Sequence, residues 1–124
     1  MAATVLVVDD DAAVVRPLVM FFELEGFTLI TVTNGLEALA YLRRGGDADV
    51  ILLDLRMPIM DGWGFRREQL RDPAIARIPV VVLSGADEER VAEIGAVAVF
   101  QKPVPLGEVL TVLRELCPGV SASD

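Results

Sequence analysis

The sequence places three consecutive carboxylates, Asp9 to Asp11, directly after the apolar stretch Val5 to Val8. Carboxylates held a few ångströms apart in a cleft repel one another, so several ionised acids persist there only with a cation among them. The chain contains no histidine and one cysteine, and a cluster of hard oxygen ligands suits Mg²⁺ best, with Mn²⁺ as the second choice. Taken alone, an acidic pair before a helix is more often a helix cap.

Other polar residues follow the later apolar runs. Asp54 ends the third run, Ser84 and Gly85 end the fourth, and Lys102 comes just after the fifth. Singly, Ser84 before Gly85 is typical of a turn, and Lys102 before Pro103 is typical of a surface lysine. If these ends meet in one crevice, however, Asp54 can attack phosphorus to give an acyl phosphate, while Lys102, Ser84 and a metal stabilise the phosphoryl oxygens. The set as a whole therefore indicates phosphoryl transfer.

These residues must be positioned by alternating strands and helices. Five short apolar runs predict strands: Thr4 to Val8, Thr28 to Val32, Val50 to Asp54, Pro79 to Ser84 and Ala96 to Phe100. The second alternates polar and apolar residues and is expected near an edge. The intervening apolar stripes at helical spacing predict an α/β domain with an open parallel sheet, five strands and five helices on both faces. We expect one domain over residues 1–124, with an ordered core at about 3–117 and a loose tail at 118–124.

Composition excludes several classes of function. The net charge of −8 provides no basic patch for a nucleic acid or an anionic membrane surface. The single cysteine, Cys117, cannot form an internal disulfide, and we expect it to contribute packing. No run of residues has the length of a membrane span, and no basic region precedes the first strand, so the sequence predicts a cytoplasmic protein.

Four motifs carry a resemblance to a known family. VLVVDDD, LLDLRMPIMDG, VVVLSG and FQKPV occur in the order, and close to the spacing, of the receiver domain of bacterial two-component response regulators. The chain resembles this family over essentially its whole length, and DLRMPIMDG is the most specific of the motifs. The resemblance implies a flavodoxin-like, doubly wound five-stranded parallel sheet in the order 2-1-3-4-5. It also implies a phosphorylation-dependent signalling switch in a phosphorelay.

The resemblance assigns a role to each site residue. Asp54 would be the phosphoacceptor, charged by a histidine kinase, a phosphotransfer protein or a small acyl phosphate. Mg²⁺ would be held by the carboxylates of Asp9, Asp10 and Asp54 and by the backbone carbonyl of Arg56. Ser84 would be the switch hydroxyl and Lys102 the phosphate-binding lysine, with a cis bond to Pro103. The loop after the acceptor would be shaped by Met57, Pro58 and Gly62. Asp11 matches no ligand position and is expected to cap the first helix.

The sequence departs from the family pattern at two places. The family usually has an aromatic residue three positions before the lysine, where this chain has Val99, and Phe100 stands one position later. A shift of one residue along a strand turns a side chain to the opposite face, so Phe100 need not replace the missing ring. In addition, DEERVAEIGA has room for only about two helical turns. A short fourth helix would change the face made by the fourth helix, fifth strand and fifth helix, through which a downstream target or a second copy is expected to bind.

Alternative functions remain open from sequence alone. The chain could be a stand-alone regulator or a receiver domain of a longer protein. It could also be a constitutive binding module that keeps the fold but does not switch. An aspartyl-phosphate phosphatase is disfavoured, because Arg56 stands where such enzymes commonly have a second aspartate. A nucleotide or flavin site is disfavoured because DDDAA, after the first strand, contains no glycine.

Overall fold

The computed structural model describes residues 2–85 and 90–120. Its centre is a five-stranded sheet in the order β2-β1-β3-β4-β5, in which every neighbouring pair is parallel. The strands are Thr4–Val8 (β1), Thr28–Val32 (β2), Val50–Asp54 (β3), Val80–Ser84 (β4) and Ala98–Gln101 (β5). The predicted fold class and strand order are confirmed. The bounds of β1, β2 and β3 match the prediction, β2 lies at an edge, and β5 begins two residues later than expected.

Four α-helices connect the strands in the described residues: Ala12–Leu24 (α1), Gly35–Arg43 (α2), Gly62–Arg71 (α3) and Leu106–Leu116 (α4). The expectation of five helices is wrong for this part of the chain, because a 3₁₀ segment, Val91–Ile94, stands where the fourth helix was predicted. It ends after one turn at Gly95, whose φ is 66°. The amide of Val97 already donates to the carbonyl of Val80, so the described chain returns to the sheet directly after this turn. Residues 86–89, at the start of the predicted helix, lie outside the described residues.

Two apolar layers cover the sheet. On one face, side chains of β1, β3 and β4 pack with α2, α3 and the 3₁₀ segment. On the other face, the alternate side chains of the same strands pack with α1 and α4, and this layer includes the buried Cys117. Every residue of β3 and β4 is buried, which explains why these strands appear in the sequence as continuous apolar runs. Within the described residues no helix combines the length and apolar character that crossing a membrane requires.

The helices that carry the site begin at defined caps. The carboxylate of Asp11 accepts from the amide of Ala13, as predicted for a helix cap, and Asp61 caps α3 by accepting from Gly64. Gly62 packs directly on the end of β3, and its amide donates to the carbonyl of Leu55 at 2.9 Å. A Cβ at this glycine would lie 2.7 Å from the carbonyl oxygen of Asp54. The absence of a side chain therefore allows α3 to begin against the site.

Candidate functional site

The carboxyl ends of β1 and β3 bring three acids together. These strands are paired, with Val8 beside Leu53, so Asp9 and Asp54 lie at the same edge of the sheet. One carboxylate oxygen from each of Asp9, Asp10 and Asp54 lies within 4.8 Å of the others. Asp9 and Asp54 are 3% and 5% exposed, whereas Asp10 is exposed. The three acids predicted to form one cluster are thus adjacent in the fold.

Lys102 extends into this cluster from the end of β5. Its Nζ lies 3.1 Å from Oδ2 of Asp9 and 3.3 Å from Oδ1 of Asp54. Its backbone amide donates to the carbonyl of Ser84 at 2.8 Å, which joins the ends of β4 and β5. The bond from Lys102 to Pro103 is cis, as the resemblance implied. One ammonium group is therefore shared between two buried carboxylates.

Burial and like charge make the ionised cluster unfavourable. The pKa of Asp54 is raised from 3.8 to about 6 by burial and by the charge of Asp9, against the attraction of Lys102. For Lys102, burial acts to lower the pKa, but hydrogen bonding and charge from Asp9, followed by those from Asp54, raise it overall. The lysine therefore remains a cation at neutral pH. It does not by itself compensate the acids, because the pKa of Asp54 is still raised.

The donor set fits a hard divalent cation. Oδ1 of Asp9 accepts from the amide of Asp11 at 2.9 Å. In contrast, Oδ2 of Asp9 is buried, and its partner among the described residues is the Lys102 ammonium, which lies 3.1 Å away and is shared with Asp54. A buried carboxylate oxygen left in this state is unfavourable. A cation with a preference for oxygen ligands would satisfy it, and all three acids offer only oxygen.

The predicted hydroxyl and aromatic positions lie at the ends of β4 and β5. Ser84 is buried and is the last residue of β4, which pairs with β3 through Leu83 and Asp54. Gly85 follows it and is exposed. On β5, Val99 is exposed, while Phe100 packs into the layer formed with α1 and α4. The ring therefore lies on the other face of the sheet from the side chain of Val99, as the one-residue offset predicts.

The loop after Asp54 contains strain that sequence reasoning missed. Met57 is half-buried against the core and Pro58 is exposed, as residues that shape a loop would be. Ile59 has a φ of 70° and is 79% exposed. This left-handed conformation is rare for a β-branched residue and is typical of functional loops. Only the turn-like MPIMDG segment signals it in the sequence, and the residue type gives no indication.

Trp63 is a second feature that the sequence analysis missed. It is buried at the start of α3, and the guanidinium carbons of Arg56 and Arg90 lie 5.2 and 5.1 Å from its ring centroid. Its Nε1 donates to the carbonyl of Arg90 at 2.9 Å. The indole thus contacts both the loop after the acceptor position and the start of the 3₁₀ segment. A single tryptophan between two glycines is the only signal that the sequence offers.

A receiver domain has this sheet order, and it has an acidic cluster and a lysine at the carboxyl edge of the sheet. Residues 5–114 match the response regulator receiver domain family, and the chain belongs to it. It is thus a receiver domain of two-component signalling. The sensory transduction protein RegX3 of Mycobacterium bovis is 36% identical over 115 residues, covering 90% of this chain and 49% of RegX3. The chain therefore spans about half the length of this relative.

Solved structures agree with this assignment. The signal receiver domain of a signal transduction histidine kinase from Syntrophus aciditrophicus is 28% identical with a TM-score of 0.86, covering 99% of this chain and 96% of that one. The phosphorylated cyanobacterial phytochrome response regulator RcpA is also 28% identical, with a TM-score of 0.75 and coverage of 94% and 91%. The fold is thus shared over nearly the full length of each.

Proposed function

We propose that this receiver domain is a phosphorylation-dependent switch that accepts a phosphoryl group on Asp54 in the presence of Mg²⁺. The observation that supports this most directly is the buried Asp9–Asp54–Lys102 arrangement, with the Lys102 ammonium 3.1 and 3.3 Å from the two carboxylates. The structural relative RcpA is described as phosphorylated, which is consistent with the same chemistry here. The donor would be a phosphohistidine of a histidine kinase or phosphotransfer protein.

Each site residue has a separate role in the proposed reaction. An oxygen of Asp54 attacks phosphorus, the phosphorus–nitrogen bond of the donor breaks, and its electron pair leaves with the histidine nitrogen. Lys102 is placed to interact with a phosphoryl oxygen in place of one carboxylate, because its Nζ already lies 3.3 Å from Oδ1 of Asp54. Asp9, Asp10, Asp54 and the backbone carbonyl of Arg56 would hold Mg²⁺. When bound, the ion supplies positive charge against the acids and the phosphoryl oxygens.

The signal then has to reach a partner surface. Ser84, buried at the end of β4, is the proposed hydroxyl that moves toward the phosphoryl group. The proposed output is altered binding of a target protein, or of a second copy, through the 3₁₀ segment, β5 and α4, in the cytoplasm. As a domain of a signalling family the chain is not proposed to be an enzyme, apart from accepting phosphate and slowly losing it.

A constitutive binding module is the second candidate. It is favoured by one observation, that Val99 is exposed where the family usually has an aromatic residue, while Phe100 packs on the other face. In that case phosphorylation would leave partner affinity unchanged. A phosphatase is disfavoured because the guanidinium of Arg56, at the position of a second aspartate, lies over the Trp63 ring and offers no acid for leaving-group protonation.

Intact-mass spectrometry after incubation with acetyl phosphate and Mg²⁺ tests the proposal. We expect one phosphoryl group on wild type, none on Asp54→Asn, and none when EDTA replaces the metal. Asp47→Asn removes an exposed carboxylate elsewhere and should be phosphorylated like wild type. Absence of the adduct on wild type, under conditions that preserve acyl phosphates, would contradict the switch. If the adduct forms, partner binding measured with and without it separates the switch from the constitutive module.

A further inference from the structure

One side of α3 carries a stripe of side chains at helical spacing: Trp63, Arg66, Arg67 and Leu70. These four residues line a groove of about 260 Å³ whose other wall is the segment from Arg90 to Ile94. The groove thus lies between α3 and the 3₁₀ segment. It is separate from the acidic cluster, and β5 and α4 contribute none of its lining.

The wall of the groove opposite α3 includes a single 3₁₀ turn, Val91–Ile94, which ends at Gly95. Leu70, one turn beyond Arg66 and Arg67, is 53% exposed. An exposed leucine at the end of a cationic stripe offers a partner both an apolar and an electrostatic contact.

The described residues that line this groove are mostly basic. Arg66 is half-buried and donates to three neutral acceptors: the carbonyl of Ile94, the side-chain oxygen of Gln69 and the carbonyl of Gly95. Neither Arg66 nor Arg67 lies within 4 Å of a carboxylate in residues 2–85 and 90–120. Burial alone lowers the pKa of Arg66. Within the described residues, Arg90 is the one arginine of the groove that forms an ion pair, with Glu93.

This local excess of basic residues contrasts with the net charge of −8 of the whole chain. Three of its 11 basic residues, Arg66, Arg67 and Arg90, line this groove, and Glu93 is the one acid among the described lining residues. Arg67 also lines a neighbouring groove with Asp61 and Glu68. A half-buried guanidinium without a carboxylate is less stable than one that is paired. An incoming carboxylate would form charge-assisted hydrogen bonds there and would gain specificity from the planar guanidinium groups.

We propose that the groove between α3 and the 3₁₀ segment binds an acidic segment of a partner protein, with carboxylates on Arg66 and Arg67 and an apolar side chain on Leu70. The charge complementarity selects this occupant over a basic or neutral one. The interaction does not require phosphorylation of Asp54, so it extends the proposed function and can fail or hold independently of it.

NMR titration of the unphosphorylated protein tests the proposal. The probe is a synthetic 12-residue peptide containing one central leucine, with glutamate at every other position. We expect saturable shifts confined to backbone amides of residues 63–70 and 90–95. A matched peptide with glutamine in place of glutamate should bind at least about tenfold more weakly, because the charge contacts are lost. Arg67→Glu should weaken binding of the acidic peptide by at least about tenfold, whereas Arg77→Glu, an exposed arginine outside the groove, should change it less than twofold.

A second pair of variants separates charge from shape. Leu70→Glu places a carboxylate one turn from Arg66 and Arg67, so it should raise the melting temperature relative to Leu70→Gln and should abolish peptide binding. Several outcomes overturn the proposal. These are equal binding of both peptides, no saturable shift in the groove, or equal affinity for a 12-residue oligothymidylate. Dimerisation that is lost in Arg67→Glu would also overturn it, because the occupant would then be a second copy of this chain.

Discussion

Replacing Asp54 by asparagine should stabilise the metal-free protein at neutral pH, although it removes the proposed phosphoacceptor. The pKa of this carboxyl is about 6 in the folded protein against 3.8 normally. Each pKa unit corresponds to about 1.4 kcal/mol, so ionised Asp54 destabilises the fold by about 3 kcal/mol. This figure includes the attraction of Lys102. Asparagine resembles the protonated acid in size and charge, so it avoids the penalty.

The sign of the pH dependence follows from the same pKa values. Below about pH 4 the carboxyl is protonated in both the folded and the unfolded chain, so wild type and Asp54→Asn should differ little. Between about pH 4 and pH 6 the unfolded chain is ionised while the folded chain still holds its proton, so wild type loses stability relative to the variant across this range. Above that pH the variant should be more stable by about 3 kcal/mol.

Urea unfolding from pH 4 to pH 7.5 in EDTA measures this difference. Asp47→Asn removes an exposed carboxylate and should follow wild type at every pH. Mg²⁺ should then stabilise wild type, by about 2.7 kcal/mol at 100 times its Kd, and should stabilise Asp54→Asn less. The reasoning is refuted if Asp54→Asn and wild type are equally stable at pH 7 in EDTA, or if their difference does not change with pH.

Three further perturbations test other parts of the site. Lys102→Met should extend the pH range over which stability is lost to above about 6, since Lys102 lowers the pKa of Asp54 in the folded protein. An unmoved upper limit of this range would contradict the ion pair. Gly62→Ala should destabilise the fold by at least about 2 kcal/mol in urea unfolding, because the new Cβ meets backbone atoms of Asp54 and Leu55 at 2.7 and 2.8 Å. As a control, Gly107→Ala places its Cβ in open space and should be neutral or stabilising. Asp11→Ala should destabilise by about 1 kcal/mol through loss of the α1 cap, and Asp11→Asn, which keeps the capping oxygen, should not.

The parts of the fold that follow local rules were predictable. Buried parallel strands produce continuous apolar runs, so β3 and β4 could be located from the sequence, and Asp11 was recognised as a cap from its position before an apolar stripe. The acidic cluster was predicted because strands of one sheet deliver their carboxyl ends to a common edge. The raised pKa of Asp54 was not predicted, since it depends on how deeply Asp54 and Asp9 are buried.

Features made by contacts distant in the chain could not be predicted. The contact of Trp63 with Arg56 and Arg90 joins a loop to a segment 27 residues further on, and no spacing rule relates these positions. The 3₁₀ segment was expected to be a short helix. Its C-terminal end coincides with the positive φ of Gly95 and with the start of β5 pairing at Val97, and the second of these is a contact with a different strand. The positive φ of Ile59 likewise depends on the surrounding loop and not on residue type.

The position of Trp63 allows it to serve as an intrinsic fluorescence probe. Because it is the single tryptophan, its fluorescence arises from one indole whose ring contacts guanidinium groups from two separate segments. Displacement of either Arg56 or Arg90 changes the electric field at that ring. Metal binding beside Asp54 and peptide binding between α3 and the 3₁₀ segment can therefore be followed with one unlabelled signal. Arg56→Met and Arg90→Met would assign each change in emission to the segment that causes it.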